Sequence, residues 1–404
     1  MPVIIIGSGL VGAATALALH KVGIQCSLYD QVVLSQSGAE GKAVEFEESG
    51  GSVVIQAGGL RVLRSLGLLE ECFANGTVSS YASWYKIDGS NPIVLDFRIS
   101  NQKAGETDES LLAPLQILRS KHSNASLPSA EIKTFTGKKL VQVTQSETSV
   151  TANFADGTSA SGELLIGADG IHSATRRQVF GEDLVAKFTG SMGHIGVVRT
   201  TETGIVLKDT EECAFYVNRD KKHGVAVFKV SDEWLPFNMQ GVCDLLHEWG
   251  APAHVEKMMR NSFRVSSASI YDLPDMETYR KGRVILIGDA AHGMVPNAGI
   301  GLLTGLVDVG TLLVLFQQFP GQEDRNKVLD MYSTIRVARA TEASRQARDM
   351  RSKSVATSVF GGGFNHFLLR IAITAVNAGL YTLYNVIDCE ADVMKLIEES
   401  KTHQ

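Results

Sequence analysis

The chain has 404 residues, of which 44% are hydrophobic and 20% are charged, so it can form two or three domains with ordinary globular cores. Its formal net charge of −6 provides no basic field, and we therefore exclude nucleic acid as a partner. The five cysteines are widely spaced and include no C-x-x-C pair, which predicts reduced thiols in a cytoplasmic protein and no metal site.

The first predicted element is a short buried strand over 3–6, which leads into a glycine-rich turn and then a helix. A second strand ends at Asp30. This order is the layout of a dinucleotide-binding βαβ unit, in which the turn seats a pyrophosphate at the helix N-terminus and the acid binds a ribose hydroxyl. The unit alone does not separate NAD from FAD. The turn residues are Gly7, Gly9, Leu10, Val11 and Gly12.

The next part of the chain mixes helical and strand-like patterns. Leu60, Leu63 and Leu66 have helical spacing, and Gly67 is suited to end that helix. Alternation with aromatic residues predicts strands over about 81–98, and more strands follow up to a hairpin turn at 155–158. Residues 181 to about 275 are predicted to be mostly β, and helical patterns dominate from about 301 to the end.

Two later segments, at 164–167 and 283–287, also read as buried strands that end in sharp turns. In α/β sheets, ligand-binding groups lie at the carboxyl ends of such strands. The residues after the two strands are Asp169, Gly170 and Arg176 in the first case and Gly288, Asp289 and His292 in the second. A loop with a Gly-x-Gly precedes a long apolar helix, and its backbone N–H groups could bind an anion or a ligand heteroatom. It contains Pro296, Gly299, Ile300 and Gly301.

In this order and spacing, the three motifs resemble those of the class A flavoprotein monooxygenases, which have the p-hydroxybenzoate hydroxylase fold. The resemblance covers roughly residues 1–325. It implies an α/β fold with a discontinuous, Rossmann-like FAD-binding domain, an inserted β-rich substrate domain and a helical C-terminal region. The expected division is 1–75, 101–180 and 276–325 for the FAD-binding domain, 76–100 and 181–275 for the substrate domain, and 326–404 for the helical region.

The resemblance also implies where FAD binds. The glycine-rich turn and Asp30 would hold its ADP part, and the segment from Asp169 to Arg176 would serve both FAD and the nicotinamide cofactor. Asp289 would bind the ribityl chain and pyrophosphate, and the loop from Pro296 to Gly301 would lie against the isoalloxazine ring. Arg119 matches the family's arginine near the FAD phosphates and ribityl chain.

The implied reaction uses NADPH or NADH and O2 to hydroxylate or epoxidise a small aromatic or unsaturated apolar substrate, through a flavin C4a-hydroperoxide. A related flavin oxidase or reductase of an unsaturated substrate is the alternative. A non-catalytic binding protein on the same fold is a third interpretation. The presence of all three motifs favours the enzyme.

Because the flavin carries such chemistry, no catalytic side chain is identified from the sequence. Arg199 and His292 are the candidates, for binding a substrate anion or carbonyl and for relaying a proton. An exposed sheet arginine and a structural histidine are the simpler interpretations of the two. His292 is followed by Gly293, where the family often has proline.

The C-terminal segment 364–387 is rich in apolar residues, and 371–387 contains no charged residue. That run is at the lower limit of membrane-spanning length. A helix packed on the body or used at a dimer interface is the favoured interpretation, and peripheral membrane contact is the alternative.

Overall fold

The computed structural model describes residues 2–33, 52–118, 132–198, 203–218, 223–229, 240–355, 361–380, 382 and 387–402. The helices are α1 (Leu10–Lys21), α2 (Ala57–Leu66), α3 (Leu69–Ala74), α4 (Phe97–Lys103), α5 (Ala174–Val179), α6 (Gln240–Glu248), α7 (Ala253–Arg260), α8 (Asp289–His292), α9 (Gly301–Gln318), α10 (Arg325–Val355), α11 (Gly361–Asn377) and α12 (Cys389–Thr402). Short 3₁₀ turns lie at Glu109–Leu111, Asp209–Glu211 and Pro296–Ala298.

The strands are β1 (Val3–Ile6), β2 (Cys26–Tyr29), β3 (Ser52–Ile55), β4 (Gly76–Val78), β5 (Tyr81–Lys86), β6 (Ile93–Asp96), β7 (Leu115–Leu118), β8 (Lys133–Phe135), β9 (Leu140–Gln145), β10 (Val150–Phe154), β11 (Ser159–Gly162), β12 (Leu164–Gly167), β13 (Lys187–Val197), β14 (Cys213–Asn218), β15 (His223–Phe228), β16 (Phe263–Asp272), β17 (Arg280–Lys281) and β18 (Val284–Leu286).

The nucleotide-binding sheet has the strand order β17-β18-β12-β1-β2-β8. β1 pairs in parallel with β2 and β12, and β12 pairs in parallel with β18. Every residue of β1, β12 and β18 is buried, as expected for parallel strands covered on both faces. The predicted α/β fold is confirmed, and the strands that carry the three motifs are immediate neighbours.

Helix α9 packs against both α1 and α2, close to the central strands. In the part of the chain that the structure describes, it is the one helix long and apolar enough to span a membrane, but 72% of it is buried inside the protein. Its apolar sequence is explained by this burial. The apolar run at 371–387 is not one helix, because α11 ends at Asn377.

The predicted substrate region contains a sheet of order β15-β14-β5-β6 and the long antiparallel pair β13-β16. β5 pairs in parallel with β14, so strands from 76–100 and 181–275 share one sheet. α11 packs on β6 from one face, and α6 and α7 contribute to the core on the other. β10 and β11 form the expected hairpin, whose turn contains Gly157 at φ 82°.

Candidate functional site

The three motifs meet at the carboxyl edge of the central sheet. Val11 of the first motif lies against Gly288 of the third, where an added Cβ would sit 3.3 Å from the valine side chain. It also lies against Gly305 of α9, where the corresponding distance is 2.6 Å. The backbone of Gly7 approaches Ala168 at the start of the second motif too closely for any side chain. The sequence motifs therefore form one continuous surface.

The glycines of the first turn have different roles. Gly7 has φ 99°, and a Cβ on Gly12 would collide with the Gly7 carbonyl oxygen, so both are needed for packing. Gly9 caps α1 with ordinary extended dihedral angles and without a side-chain hydrogen bond, and no atom lies within 4 Å of a Cβ built on it. An open position at the N-terminus of a helix fits a bound pyrophosphate, whose charge the free N–H groups stabilise.

Asp30 follows β2 and is half-buried beside the turn. Its Oδ2 accepts hydrogen bonds from the amide and the hydroxyl of Ser8, both at 2.7 Å, and its Oδ1 accepts from the amide of Val32 at 2.8 Å. These bonds fix the carboxylate at the edge of the glycine turn. Its remaining lone pairs are suited to ribose hydroxyls.

The second motif is organised differently from the sequence-based expectation. Asp169 accepts from the hydroxyl of Ser173 and from the amide and hydroxyl of Thr175, at 2.5 to 3.0 Å, and thereby caps α5. Gly170 has φ 76°, with open space beside it. Asp169 and Gly170 are half-buried and lie next to the first motif, so their predicted contact with the cofactor remains a prediction.

Arg176, predicted to bind the cofactor, makes its contacts within the protein, and its role toward the cofactor remains a prediction. Its side chain is fully buried, and its guanidinium donates to the carbonyl oxygens of Leu184, Ala290 and Ile171 at 2.7 to 2.8 Å. Burial lowers the pKa of Arg176 to about 10, which still leaves it charged at neutral pH. The residue joins the second motif to the third.

The third motif carries one exposed acid. Asp289 begins α8 and is exposed, whereas the other residues of this one-turn helix are buried. The preceding Gly288 has φ 57°, a conformation that favours glycine, and donates its amide to Asp308 of α9 at 2.7 Å. Asp289 therefore extends from a fixed backbone at the same edge as Asp30.

His292, the candidate proton relay, is 4% exposed, and its Nε2 lies 2.7 Å from Asp308 Oδ2. Asp308 Oδ1 accepts from Arg336 Nε at 2.6 Å, and both of these side chains are buried. Burial opposes ionisation of Asp308, but His292, Arg336 and the Gly288 amide together hold its pKa below the ordinary value. This environment is that of a structural histidine, the simpler of the two interpretations made from the sequence.

The loop before α9 contributes open glycines. Pro296 and Gly299 are exposed, Gly299 has φ 64°, and no atom lies within 4 Å of a Cβ built on Gly299 or Gly301. Ile300 is 4% exposed and belongs to an apolar cluster, so only its backbone remains for a cofactor. A flat ring laid along this loop would meet backbone and proline rather than charged groups.

Arg119 and Arg199 lie outside the described residues, and their predicted roles remain predictions. Sequence reasoning missed Asp308 as a site residue and Arg336 altogether. The one available signal was that both residues are charged and lie in strongly helical segments. Charged residues are almost never fully buried unless they are paired, so each indicated a partner.

Comparison with known proteins agrees with this geometry. The family described as FAD binding domain matches residues 1–347. The chain belongs to the class A FAD-dependent monooxygenases. An FAD-dependent urate hydroxylase from Mycolicibacterium vanbaalenii is 27% identical over 86% of this chain and 87% of that protein. A 6-hydroxynicotinate 3-monooxygenase from Bordetella bronchiseptica is 24% identical over 85% of this chain and 90% of its own length.

Among solved structures, that of Klebsiella pneumoniae HpxO complexed with FAD and uric acid has a TM-score of 0.75 at 20% identity and covers 94% of this chain and 96% of its own. This likeness establishes the class A monooxygenase fold. FAD is the cofactor, and the residues fit it: the open position at Gly9, the half-buried Asp30 and the exposed Asp289 along one sheet edge match a long dinucleotide.

Proposed function

We propose that this monooxygenase uses NADPH or NADH and O2 to hydroxylate or epoxidise a small aromatic or unsaturated apolar molecule. The observation that carries the proposal is the meeting of three flavin-type motifs on one sheet edge beside a β-rich region. When bound, FAD supplies O2 activation and oxygen transfer. Asp30 and the turn at Gly9 would hold the adenosine and pyrophosphate, Asp289 the ribityl chain, and the loop at Gly299 the ring.

An aromatic cluster in the neighbouring sheet supports the substrate class. Trp84 of β5 and Phe215 of β14 stack with centroids 5.6 Å apart, and Phe228 of β15 meets Phe215 edge-on, also at 5.6 Å. All three are half-buried on the face that α11 covers in part, whereas Tyr216 is buried on the other face. Relatives named for urate, 6-hydroxynicotinate and 3-amino-4-hydroxybenzoate favour a planar ring for this chain too.

The test is an oxygen-isotope experiment with FAD-loaded protein. Urate, 6-hydroxynicotinate, 3-amino-4-hydroxybenzoate and an apolar diene are offered with NADPH or NADH under ¹⁸O2. We expect one labelled atom in the product and one in water. Label found only in hydrogen peroxide, in the presence of a converted substrate, would assign the chain to the oxidases, and conversion without O2 would make it a reductase.

The aromatic cluster gives the matched variants for this test. We expect Trp84→Leu and Phe228→Leu to raise KM for the aromatic substrate about tenfold, because each removes a stacking surface. Phe135→Leu is the control, since Phe135 stacks on Tyr29, 5.0 Å away, in the nucleotide-binding sheet. If Trp84→Leu and Phe228→Leu had the same KM as the control Phe135→Leu, the cluster would be excluded from substrate binding.

We also propose cytoplasmic localisation, which is supported by the absence of disulfides among all five cysteines.

A second proposal concerns α11, whose outer face exposes Phe364, Phe367, Leu368 and Ile371 by 42 to 55% of their surfaces. Together with Leu380, which follows the helix and is 81% exposed, these side chains offer roughly 500 Å² of apolar area, at about 100 Å² for each. Two copies would cover about 1,000 Å², the lower limit for a specific interface, so we propose a weak dimer through this face.

A further inference from the structure

The helix α8 is only one turn long, and its orientation cannot be set by its own hydrogen bonds. Asp308 holds it at both ends. Its Oδ2 accepts from the Gly288 amide before the helix and from His292 Nε2 at its last residue, each at 2.7 Å. Asp289, the exposed acid, lies between these two attachment points.

Asp308 is in turn fixed by Arg336, which reaches it from α10. Arg336 Nε donates to Asp308 Oδ1 at 2.6 Å, and its NH2 group donates to the carbonyl oxygen of Thr304 at 3.1 Å, in the first turn of α9. Asp308 and Arg336 are at most 1% exposed. One buried carboxylate thus joins the third motif to the helix that follows the ring-binding loop.

Stability alone does not explain this pair. Replacing a buried ion pair with apolar side chains of similar volume is often neutral or stabilising, whereas removing one partner is costly. His292 adds a second observation, because it is 4% exposed and its Nε2 lies 2.7 Å from Asp308 Oδ2, at the last residue of α8. The histidine therefore supports Asp308 and the end of this helix.

We propose that Asp308, with Arg336 as its counterion, is a positioning residue of the flavin site that presents the Asp289 carboxylate to FAD through α8. The proposal rests on FAD binding and is independent of the substrate. It predicts that loss of the network weakens FAD binding in a protein that is still folded.

The decisive variant is Asp308→Leu combined with Arg336→Met, which removes both buried charges together. We expect the apoprotein to stay folded with a lower urea midpoint, because the Gly288 amide and His292 Nε2 lose their acceptor. The FAD dissociation constant, measured without urea on the folded protein, should rise about tenfold or more, as for a lost charged hydrogen bond. The matched control is Asp392→Leu with Arg339→Met, an ion pair between α10 and α12 whose arginine side chain is 57% exposed. It should leave FAD affinity unchanged.

A second variant tests the proposal even if the double variant does not fold. His292→Phe retains the ring volume and removes one attachment of α8, and we expect a several-fold weaker FAD affinity. In an Asp289→Ala background the same change should have no further effect, because a positioning residue acts through the group it positions. The proposal would be overturned if the double variant and His292→Phe both kept wild-type FAD affinity. It would also be overturned if the effects of His292→Phe and Asp289→Ala on FAD affinity were fully additive.

Discussion

Gly9 and Gly12 belong to one turn, but a methyl group has different consequences at the two positions. Gly9→Ala meets no atom within 4 Å, so the apoprotein should fold with little change in its urea midpoint. The same methyl would occupy the proposed pyrophosphate position, and we expect a FAD dissociation constant at least tenfold higher, measured by flavin fluorescence.

Gly12→Ala is the contrasting case. Its Cβ would collide with the Gly7 carbonyl oxygen, and backbone cannot move aside cheaply. We therefore expect destabilisation of the apoprotein by about 1–3 kcal/mol. If the two alanine variants have the same stability and the same FAD affinity, the division of roles between the two glycines is wrong.

Arg176 gives a second prediction at this scale. Arg176→Met leaves one buried and two partly buried carbonyl oxygens without their charged donor, and we expect a loss of about 3 kcal/mol in the free energy of unfolding. The neighbouring Arg177 is exposed, so Arg177→Met is the control and should change stability by less than about 0.5 kcal/mol. Urea unfolding of the two apoproteins distinguishes a framework residue from a surface one.

At the scale of elements, the second and third motifs are in contact at Gly293, a residue that departs from the family pattern. Gly293 stands where proline is common, and a Cβ there would lie 2.8 Å from Ile171 of the second motif and 2.9 Å from the carbonyl oxygen of Asp289. Gly293→Ala should therefore destabilise the protein by about 1–3 kcal/mol. Adding Ile171→Ala should recover part of that loss, and a double-mutant cycle in urea measures the coupling.

The buried pair of α9 and α10 also sets a pH dependence. The pKa of Asp308 is lowered from 3.8 in the folded protein, so the unfolded chain binds the additional proton first as the pH falls. The stabilising contribution is complete above about pH 5 and is lost as the pH falls through the lowered value. Urea midpoints between pH 7 and pH 3 should decline more steeply for the wild type than for the Asp308→Leu, Arg336→Met variant.

The sequence predicted those elements whose signal is local. Isoleucine-rich strands followed by glycine turns mark β1 and its neighbours, and the left-handed Gly67 ends α2 as expected. The partner of Asp308 was out of reach, because Arg336 meets it only through the packing of two long helices. The partners of Arg176 were out of reach for a related reason: its position after Asp169 predicts a ligand role, and only tertiary packing shows that its guanidinium donates to three carbonyl oxygens.

At the scale of the whole molecule, the face of α11 is the main apolar surface of the C-terminal region. Its basic side chains turn toward β6, as His366 and Arg370 contact the carbonyl oxygen of Asn91. The outward face of the helix thus contains no charge to repel a second copy of a chain whose formal net charge is −6.

We expect the wild type to show a concentration-dependent dimer in sedimentation velocity and Phe367→Glu to shift it to monomer. Leu245→Glu, at an exposed leucine of α6, is the control and should still dimerise. A monomeric wild type that floats with phosphatidylcholine vesicles, and loses this property in Phe367→Glu, would instead assign the face to a membrane.

The proposed flavin site takes its parts from widely separated regions of the chain. They are the turn at Gly9, the aspartate at 169, the helix at Asp289 and the arginine at 336. During synthesis β1 leaves the ribosome long before its neighbour β12, and β18, which pairs with β12, follows later still. Long loops must close before the sheet edge exists, which slows folding. FAD should therefore bind late, after α10 has emerged, and nascent chains truncated before Arg336 should be translated without retaining flavin.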